Sequence, residues 1–207
     1  MSFEKFSKEC PVVAILRGIT PAEMLSVCEV LYESGIRLLE VPLNSPDACA
    51  SIKLAADKYH AAGTMLIGAG TVLSPEDVRN VAEAGGKFII SPDTNSEVIA
   101  ETKRLGLVSI PGFFTPTEAF AALRAGADYL KLFPAGVNGT GYIKDIKAVI
   151  KAPILAVGGV NSGNIPEFLT LCAGVGIGSA LYKPGKTLED IRATAVEMVE
   201  AAKNGQR

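Results

Sequence analysis

The sequence predicts an α/β protein built as a single (β/α)8 TIM barrel. Eight short apolar runs alternate with Ala-rich segments of helical pattern over the 207 residues. Strands that are apolar throughout and alternate with helices are typical of a parallel sheet covered by helices, and eight such units suit closure into a barrel. A doubly wound open sheet is the alternative, although no G-x-G-x-x-G motif follows the first run.

Each predicted strand is a β-branched or apolar run followed by a turn. In chain order the runs are Val12–Arg17, Ile36–Leu43, Met65–Val72, Lys87–Ser91, Leu107–Pro111, Tyr129–Phe133, Ile154–Val160 and Gly174–Ala180. The repeat averages about 26 residues, which makes the barrel a small one of its kind. Because no linker or low-complexity tract interrupts the pattern, residues 1-207 are expected to form one domain.

Three of the intervening helices carry a clear start signal. A Ser or Thr cap is followed by Pro in the first turn and by acidic residues that suit the positive end of the helix dipole. The three sites begin at Thr20, Ser74 and Thr115. Glycines that follow the helical patterns are expected to end four helices as left-handed caps, and they are Gly35, Gly85, Gly106 and Gly126.

Composition excludes several classes of partner. The formal net charge of -2 indicates neither nucleic-acid nor anionic-membrane binding. No run approaches about 18 apolar residues, so a membrane span is not expected. The first ten residues are polar and charged rather than a signal peptide, which predicts a cytoplasmic protein. The four cysteines show no C-x-x-C spacing and predict neither a zinc site nor a disulfide framework.

Lys131 is a lone charge inside an apolar strand. In a barrel of this type, catalytic groups sit at the C-terminal ends of strands. Strand alternation places Leu130 and Leu132 on the face opposite Lys131, so leucines facing the helices would direct the ammonium into the barrel. Burial lowers the pKa of an amine, and a neutral amine is what Schiff-base chemistry requires. The alternative is a lysine whose tip reaches solvent.

Glu40 is a second lone charge, within the second strand. A carboxylate is rarely buried without a partner, and Lys131 is the obvious candidate if both side chains point inward. A carboxylate beside an amine nucleophile can move protons through carbinolamine, imine and enamine steps. A purely structural ion pair is the alternative.

Arg17 closes the first strand, and Thr71 ends the third. A guanidinium suits a carboxylate or a phosphate, although a surface arginine that begins a loop is an equally simple reading. Gly68 and Gly70 before Thr71 would let a substrate approach the backbone, although tight turns also need Gly.

The last two strands predict a phosphate site. Gly158 and Gly159 follow the seventh strand, and Gly178 and Ser179 end the eighth, where barrels of this type commonly bind phosphate through backbone amides. His60 is the sole histidine and is expected to be solvated and to have a structural role. With no His or Asp/Glu cluster at strand ends, no metal-dependent chemistry is predicted.

Together these motifs resemble one known family, the 2-keto-3-deoxy-6-phosphogluconate/phosphogalactonate aldolases. The resemblance runs through nearly the whole chain in the same order. The matching stretches are Ala14–Pro21, Glu40–Pro46, Ile67–Val72, Leu130–Pro134 and Ala156–Val160. It implies a class I aldolase on a (β/α)8 barrel that needs no cofactor and is commonly a homotrimer.

The resemblance also implies a role for each matching residue. Lys131 resembles the Schiff-base lysine, and Glu40 resembles the general acid/base. The pyruvyl half of the substrate would meet Arg17, Thr71 and, as a wall, Phe133. Pro92 and Pro111-Gly112 fall where other strand ends line the pocket. The phosphate loops would contain Gly158, Gly159, Gly178 and Ser179.

Two positions bear on the substrate. The phosphogluconate branch typically has Arg four residues after the catalytic Glu and Thr before the Gly-Gly pair, whereas this chain has Asn44 and Val157. The pattern is similar to the phosphogalactonate branch and predicts cleavage of 2-dehydro-3-deoxy-6-phosphogalactonate to pyruvate and D-glyceraldehyde 3-phosphate. A gluconate or dual-substrate aldolase, a sugar-phosphate isomerase or epimerase, and a non-enzymatic sugar-phosphate sensor are the alternatives.

Overall fold

A computed structural model describes residues 2–205 of the chain. The strands within this range are β1 (Val12–Ile15), β2 (Leu38–Pro42), β3 (Leu66–Gly70), β4 (Phe88–Ile90), β5 (Val108–Ile110), β6 (Gly112–Phe113), β7 (Leu130–Leu132), β8 (Ile154–Val157) and β9 (Gly174–Ile177). The helices are α1 (Phe3–Glu9), α2 (Pro21–Glu33), α3 (Ala48–Ala62), α4 (Pro75–Glu83), α5 (Ser96–Arg104), α6 (Pro116–Arg124), α7 (Ala135–Val149), α8 (Ile165–Leu169) and α9 (Leu188–Gly205).

The strands form one parallel sheet in the order β5-β4-β3-β2-β1-β9-β8-β7-β6. Its two ends are consecutive in sequence, separated only by Pro111, which has no N–H to donate. Around this residue the Ser91 N–H donates to the Ile110 oxygen at 3.3 Å on one side, and the Lys131 N–H donates to the Pro111 oxygen at 2.8 Å on the other. The sheet therefore closes through this unit, and the predicted α/β TIM barrel is confirmed.

Two details of the strand prediction are wrong. The predicted strand Leu107–Pro111 is shorter than expected and is followed by the separate β6, so eight runs give nine strands. Most other runs also end earlier than predicted, because their last residues already belong to the loops. Gly158 shows the reason, since its φ of 91° is incompatible with an extended strand.

The predicted helix boundaries are confirmed. Ser74 accepts from the Asp77 N–H while the Asp77 carboxylate accepts from the Ser74 N–H, and Thr115 forms the same reciprocal pair with Glu118. At Thr20 the Glu23 carboxylate accepts from the backbone N–H. The four predicted cap glycines all have φ between 71° and 102°.

The N-terminal helix α1 was not predicted, and it fills the barrel floor. Phe3 and Phe6, one helical turn apart, are buried in a cluster with barrel-interior side chains such as Leu38 and Phe88. The Phe3 ring meets the Phe88 ring edge-on at a centroid distance of 5.2 Å and lies 4.9 Å from the ring of Tyr129. The helix was not predicted because the segment is polar and charged, and because its stability comes from tertiary packing.

No helix within residues 2–205 is long and apolar enough to cross a membrane.

Candidate active site

A cavity of about 770 Å3 opens at the C-terminal ends of the barrel strands. Almost every strand end contributes to it, as expected for a barrel of this kind. Ten of the twelve residues that the sequence nominated for the pocket line it, namely Arg17, Glu40, Thr71, Pro92, Lys131, Phe133, Gly158, Gly159, Gly178 and Ser179. The fold therefore brings these residues together at one cavity, and their assignment to the active site remains a prediction.

Lys131 lies in β7 and points into the barrel. Its neighbours Leu130 and Leu132 are buried in the outer core between strands and helices, which leaves the opposite face for the amine. The side chain is 7% exposed, and its Nζ lies 4.8 Å from the centroid of the Phe133 ring. Burial lowers the pKa of Lys131; the Glu40 charge opposes this shift, and the Arg17 charge adds to it. The site thus favours the neutral amine more than water does.

Glu40 lies in β2 and is 2% exposed. Register explains its direction: Leu38, two residues earlier on the same strand, belongs to the barrel-interior cluster. Burial raises the pKa of Glu40 to about 7, although the positive charges of Lys131 and Arg17 pull it downward. Its Oε2 is buried without a hydrogen-bond partner. A carboxyl group with such a pKa can both give and take a proton near neutrality.

Gly70 in β3 makes room for this carboxyl group. A Cβ atom built at Gly70 would overlap the Glu40 carboxyl oxygens. The Gly-rich end of β3 is therefore required by the packing of a buried acid, a role that the sequence pattern alone did not distinguish from a tight turn.

Arg17 and Thr71 meet at the mouth of the cavity. The Arg17 Nη1 donates to the Asn44 Oδ1 at 2.5 Å, and both terminal nitrogens lie 3.4–3.5 Å from the Thr71 hydroxyl oxygen. Thr71 has a φ of 55°, which is a strained conformation for a β-branched residue. Its hydroxyl and the guanidinium form a donor group suited to a small anion.

The glycine loops after β8 and β9 line the opposite side of the cavity. Gly158 and Gly159 have φ of 91° and 75°, so both occupy backbone conformations that side chains disfavour. Their carbonyl oxygens accept from the Gly136 N–H and the Asn164 amide respectively. The Gly178 oxygen accepts from two N–H groups of the turn that follows β9. These bonds fix the loops at the position where barrels commonly bind phosphate.

Several lining residues were missed by sequence reasoning. Lys183 is an exposed cation in the cavity wall, and it lies four residues after Ser179 in the same loop. That proximity to a predicted phosphate loop was a usable signal. Pro111-Gly112 was expected to line the pocket, but neither residue does so. Gly112 packs instead against the backbone of Pro92, where a Cβ atom would collide.

Fold and site together define a class: (β/α)8-barrel enzymes with a buried lysine and a buried carboxylic acid in one cavity at the C-terminal ends of the strands. A model of the family described as "Aldolase: KDPG and KHG aldolase" matches residues 3–199. The chain therefore belongs to the KDPG and KHG aldolase family and is an aldolase, a carbon–carbon lyase. The resemblance found in the sequence motifs is confirmed.

Individual relatives agree with this assignment. A "Probable 2-dehydro-3-deoxy-6-phosphogalactonate aldolase" of Rhizobium meliloti (strain 1021) is 44% identical over 196 residues, covering 93% of this chain and 92% of the relative. The 2-dehydro-3-deoxy-6-phosphogalactonate aldolase of Escherichia coli (strain K12) is 42% identical, covering 95% and 97%. A solved structure described as "Native KDPGal structure" superposes with a TM-score of 0.91 at 42% identity, covering 95% and 96%.

Proposed function

We propose that this aldolase cleaves 2-dehydro-3-deoxy-6-phosphogalactonate to pyruvate and D-glyceraldehyde 3-phosphate through an imine on Lys131. The observation that carries the proposal is a buried amine of lowered pKa sharing a cavity with a buried carboxyl group whose pKa is about 7. Neither group is a natural member of a barrel interior, so both require a functional reason.

Imine formation begins with attack of the neutral Lys131 Nζ on the C2 ketone of the open-chain substrate. Glu40 supplies and removes protons until the C2 oxygen leaves as water, which gives a protonated imine. Arg17 and Thr71 hold the adjacent carboxylate, so that C2 meets the amine in a reactive geometry. Phe133, whose ring lies 4.8 Å from Nζ, and Pro92 contribute apolar walls to the cavity.

Carbon–carbon cleavage follows from the imine. Glu40, through a water molecule, removes the proton of the C4 hydroxyl, the C3–C4 bond breaks, and its electron pair moves into the imine to give an enamine. The C4 oxygen becomes the aldehyde of glyceraldehyde 3-phosphate, which departs. Protonation of the enamine at C3 and hydrolysis of the imine then release pyruvate and the free amine.

The phosphate end of the substrate belongs at the glycine loops. Gly158, Gly159, Gly178 and Ser179 offer a bare backbone for close approach, and Lys183 adds positive charge. Because this binding energy is released far from C2, it can hold the reacting carbon in place. An unphosphorylated substrate is therefore expected to lose turnover as well as affinity.

The configuration at C4 is assigned from Val157 and the relatives. Val157 lines the cavity with an apolar side chain that cannot hydrogen-bond a hydroxyl, and the relatives at 42–44% identity are named for the galactonate substrate. An apolar wall discriminates only weakly against a misplaced hydroxyl, so some cleavage of the gluconate epimer is expected.

We also propose one aldolase domain that assembles as a homotrimer in the cytoplasm. Every strand of the described chain joins the same sheet. A protein cage "designed by fusing symmetric oligomeric domains" contains a chain that superposes with a TM-score of 0.92 at 42% identity, covering 96% of this chain and 74% of that one. Analytical ultracentrifugation of the purified protein tests the trimer, and a monomer at working concentration would contradict it.

Borohydride trapping with pyruvate tests the imine. Peptide mass spectrometry is expected to find the reduced pyruvyl adduct on Lys131, and its absence there contradicts the imine assignment. Parallel assays of the two C4 epimers at equal concentration, with aldehyde release coupled to a dehydrogenase, test the substrate. Faster cleavage of the gluconate epimer would reverse the assignment, and substrate conversion without aldehyde release would favour an isomerase or epimerase.

A further inference from the structure

Asn44 contacts Arg17, the residue proposed to bind the substrate carboxylate, from outside the cavity. Its Oδ1 accepts from Arg17 Nη1 at 2.5 Å, yet Asn44 is not among the residues that line the cavity. We infer that Asn44 is a positioning residue, which holds the Arg17 guanidinium ready for the carboxylate of the pyruvyl half. This inference rests on the proposed function of Arg17.

The segment that carries Asn44 is anchored on both sides. The Leu43 N–H donates to the Gly70 oxygen at 2.8 Å, next to Thr71. The Ser45 hydroxyl accepts from the Gly18 N–H at 2.9 Å, next to Arg17. The loop after β2 thus bridges the ends of β1 and β3, which carry the two proposed carboxylate ligands. Asn44 stands between the two anchors on a backbone that cannot easily shift.

Arg17 needs such a support because it is an exposed residue. A free arginine samples many rotamers and loses that freedom on binding an anion. A side chain already held in one orientation loses less, which raises affinity without a new contact to the ligand.

The chemistry of the acceptor matters as much as its position. The Asn44 carbonyl is neutral, so it orients the guanidinium without cancelling its positive charge. A carboxylate at the same place would keep the contact but would compete with the substrate carboxylate for the same donors. The substitution Asn44→Asp keeps the hydrogen-bond acceptor and adds a negative charge. It therefore tests whether an acceptor alone is sufficient for function.

The test measures the pyruvate concentration that gives half-maximal borohydride inactivation. We expect Asn44→Ala to raise it about three- to ten-fold, because the Arg17 side chain must then lose its rotamer freedom when the anion binds. Asn44→Asp is expected to raise it at least as much. The matched control Asn80→Ala, an exposed asparagine of α4, should change it by less than about twofold. In the condensation direction, the KM for glyceraldehyde 3-phosphate should stay within about twofold for every variant, because the phosphate loops are distant.

Several outcomes would overturn the positioning role. Wild-type pyruvate affinity in Asn44→Ala would do so directly. Wild-type affinity in Asn44→Asp would contradict the part of the inference that requires a neutral acceptor at this position. In an Arg17→Ala background, Asn44→Ala should have no further effect on pyruvate affinity, and an undiminished effect would show that it acts elsewhere. The adduct on wild-type Lys131 reports the proposed function separately, so failure of one inference is distinguishable from failure of the other.

Discussion

The two ends of the barrel are built from the same strands and are filled in opposite ways. At the closed end, Phe3 and Phe6 of α1 pack with Leu38 and Phe88 in a tight apolar cluster. At the open end, a cavity of about 770 Å3 contains buried ionisable groups. On β2 the change takes two residues, from Leu38 to Glu40. A strand that faces one interior can therefore supply stability at its start and chemistry at its end.

Burial of side chains has opposite effects on the stability of the fold at the two ends of the barrel. Burial of aromatic and aliphatic side chains at the closed end stabilises the fold. Burial of Glu40 without a hydrogen-bond partner for its Oε2 destabilises it, since the ionised carboxyl group loses its hydration. Substitutions at the open end should therefore remove activity without lowering stability, and substitutions at the closed end should do the reverse.

Lys131→Met is expected to have the largest effect. The thioether keeps the approximate length of the side chain but removes the nucleophile, so aldol cleavage should fall by about 10^4-fold or more. At about pH 5, where the buried Glu40 with its pKa of about 7 is neutral, the free energy of unfolding should stay the same or rise, because a desolvated amine is replaced by an apolar group. Coupled aldehyde release and urea denaturation measure the two quantities.

The matched control for Lys131→Met is Lys53→Met, at an exposed position of α3. It should retain wild-type cleavage. Substantial turnover by Lys131→Met would refute the covalent mechanism, and a sensor that binds sugar phosphate without turnover would show no cleavage in the wild type either.

Glu40→Gln should separate activity from stability at a single position. Loss of a general acid/base lowers kcat by about 10^2- to 10^4-fold. The folded-state pKa of Glu40 is raised to about 7, so its contribution to stability is present at low pH and is lost as the pH rises from about 4.5 to 7. Relative to wild type, Glu40→Gln should therefore gain stability over this interval, by on the order of 3 kcal/mol at pH 8. Denaturant titrations at pH 4.5 and pH 8 give the comparison, and a constant difference would contradict the assigned pKa.

Phe3→Ala tests the closed end. Removing a buried aromatic side chain costs about 3 kcal/mol of unfolding free energy, and kcat per folded molecule should be unchanged because α1 lies away from the cavity. Phe120→Ala, at a half-buried position of α6, is the control and should cost less. A loss of kcat in folded Phe3→Ala would mean that the two ends are coupled.

The sequence predicted the charged residues of the open end of the barrel but not the packing of α1 at the closed end. Lys131 and Glu40 were found because a charge inside an apolar strand is a local anomaly. The role of Phe3 was missed because its partner Phe88 lies far along the chain. The contact between Asn44 and Arg17 was missed for a related reason: it depends on the paths of two loops, and no periodic pattern describes a loop. Pro111 is an intermediate case. The sequence shows that this residue has no N–H, but it does not show that two separate strands, β5 and β6, lie on either side of it.

His60 provides the smallest expected effect and a final test of the comparison. It was expected to be solvated, which is wrong: it is half-buried, and its Nε2 accepts from the Ile67 N–H of β3 at 3.0 Å. Burial, aided by the charge of Lys87, lowers the pKa of His60. Its stabilising contribution is therefore complete above the unfolded-state pKa of about 6.5 and is lost as the pH falls through the lower folded-state value.

His60→Gln can keep an acceptor for the Ile67 N–H without titrating. Between pH 7.5 and pH 5.5, wild type should lose about 1 kcal/mol relative to this variant, the size of one buried hydrogen bond. Glu40 changes stability in the opposite direction over part of the same interval, so the two slopes partly cancel in the wild-type protein. In a Glu40→Gln background the opposing contribution of Glu40 is removed. The free energy of unfolding should then fall more steeply between pH 7.5 and pH 5.5 than it does in the wild-type protein. If the free energy of unfolding in that background does not change over this pH interval, His60 makes no pH-dependent contribution.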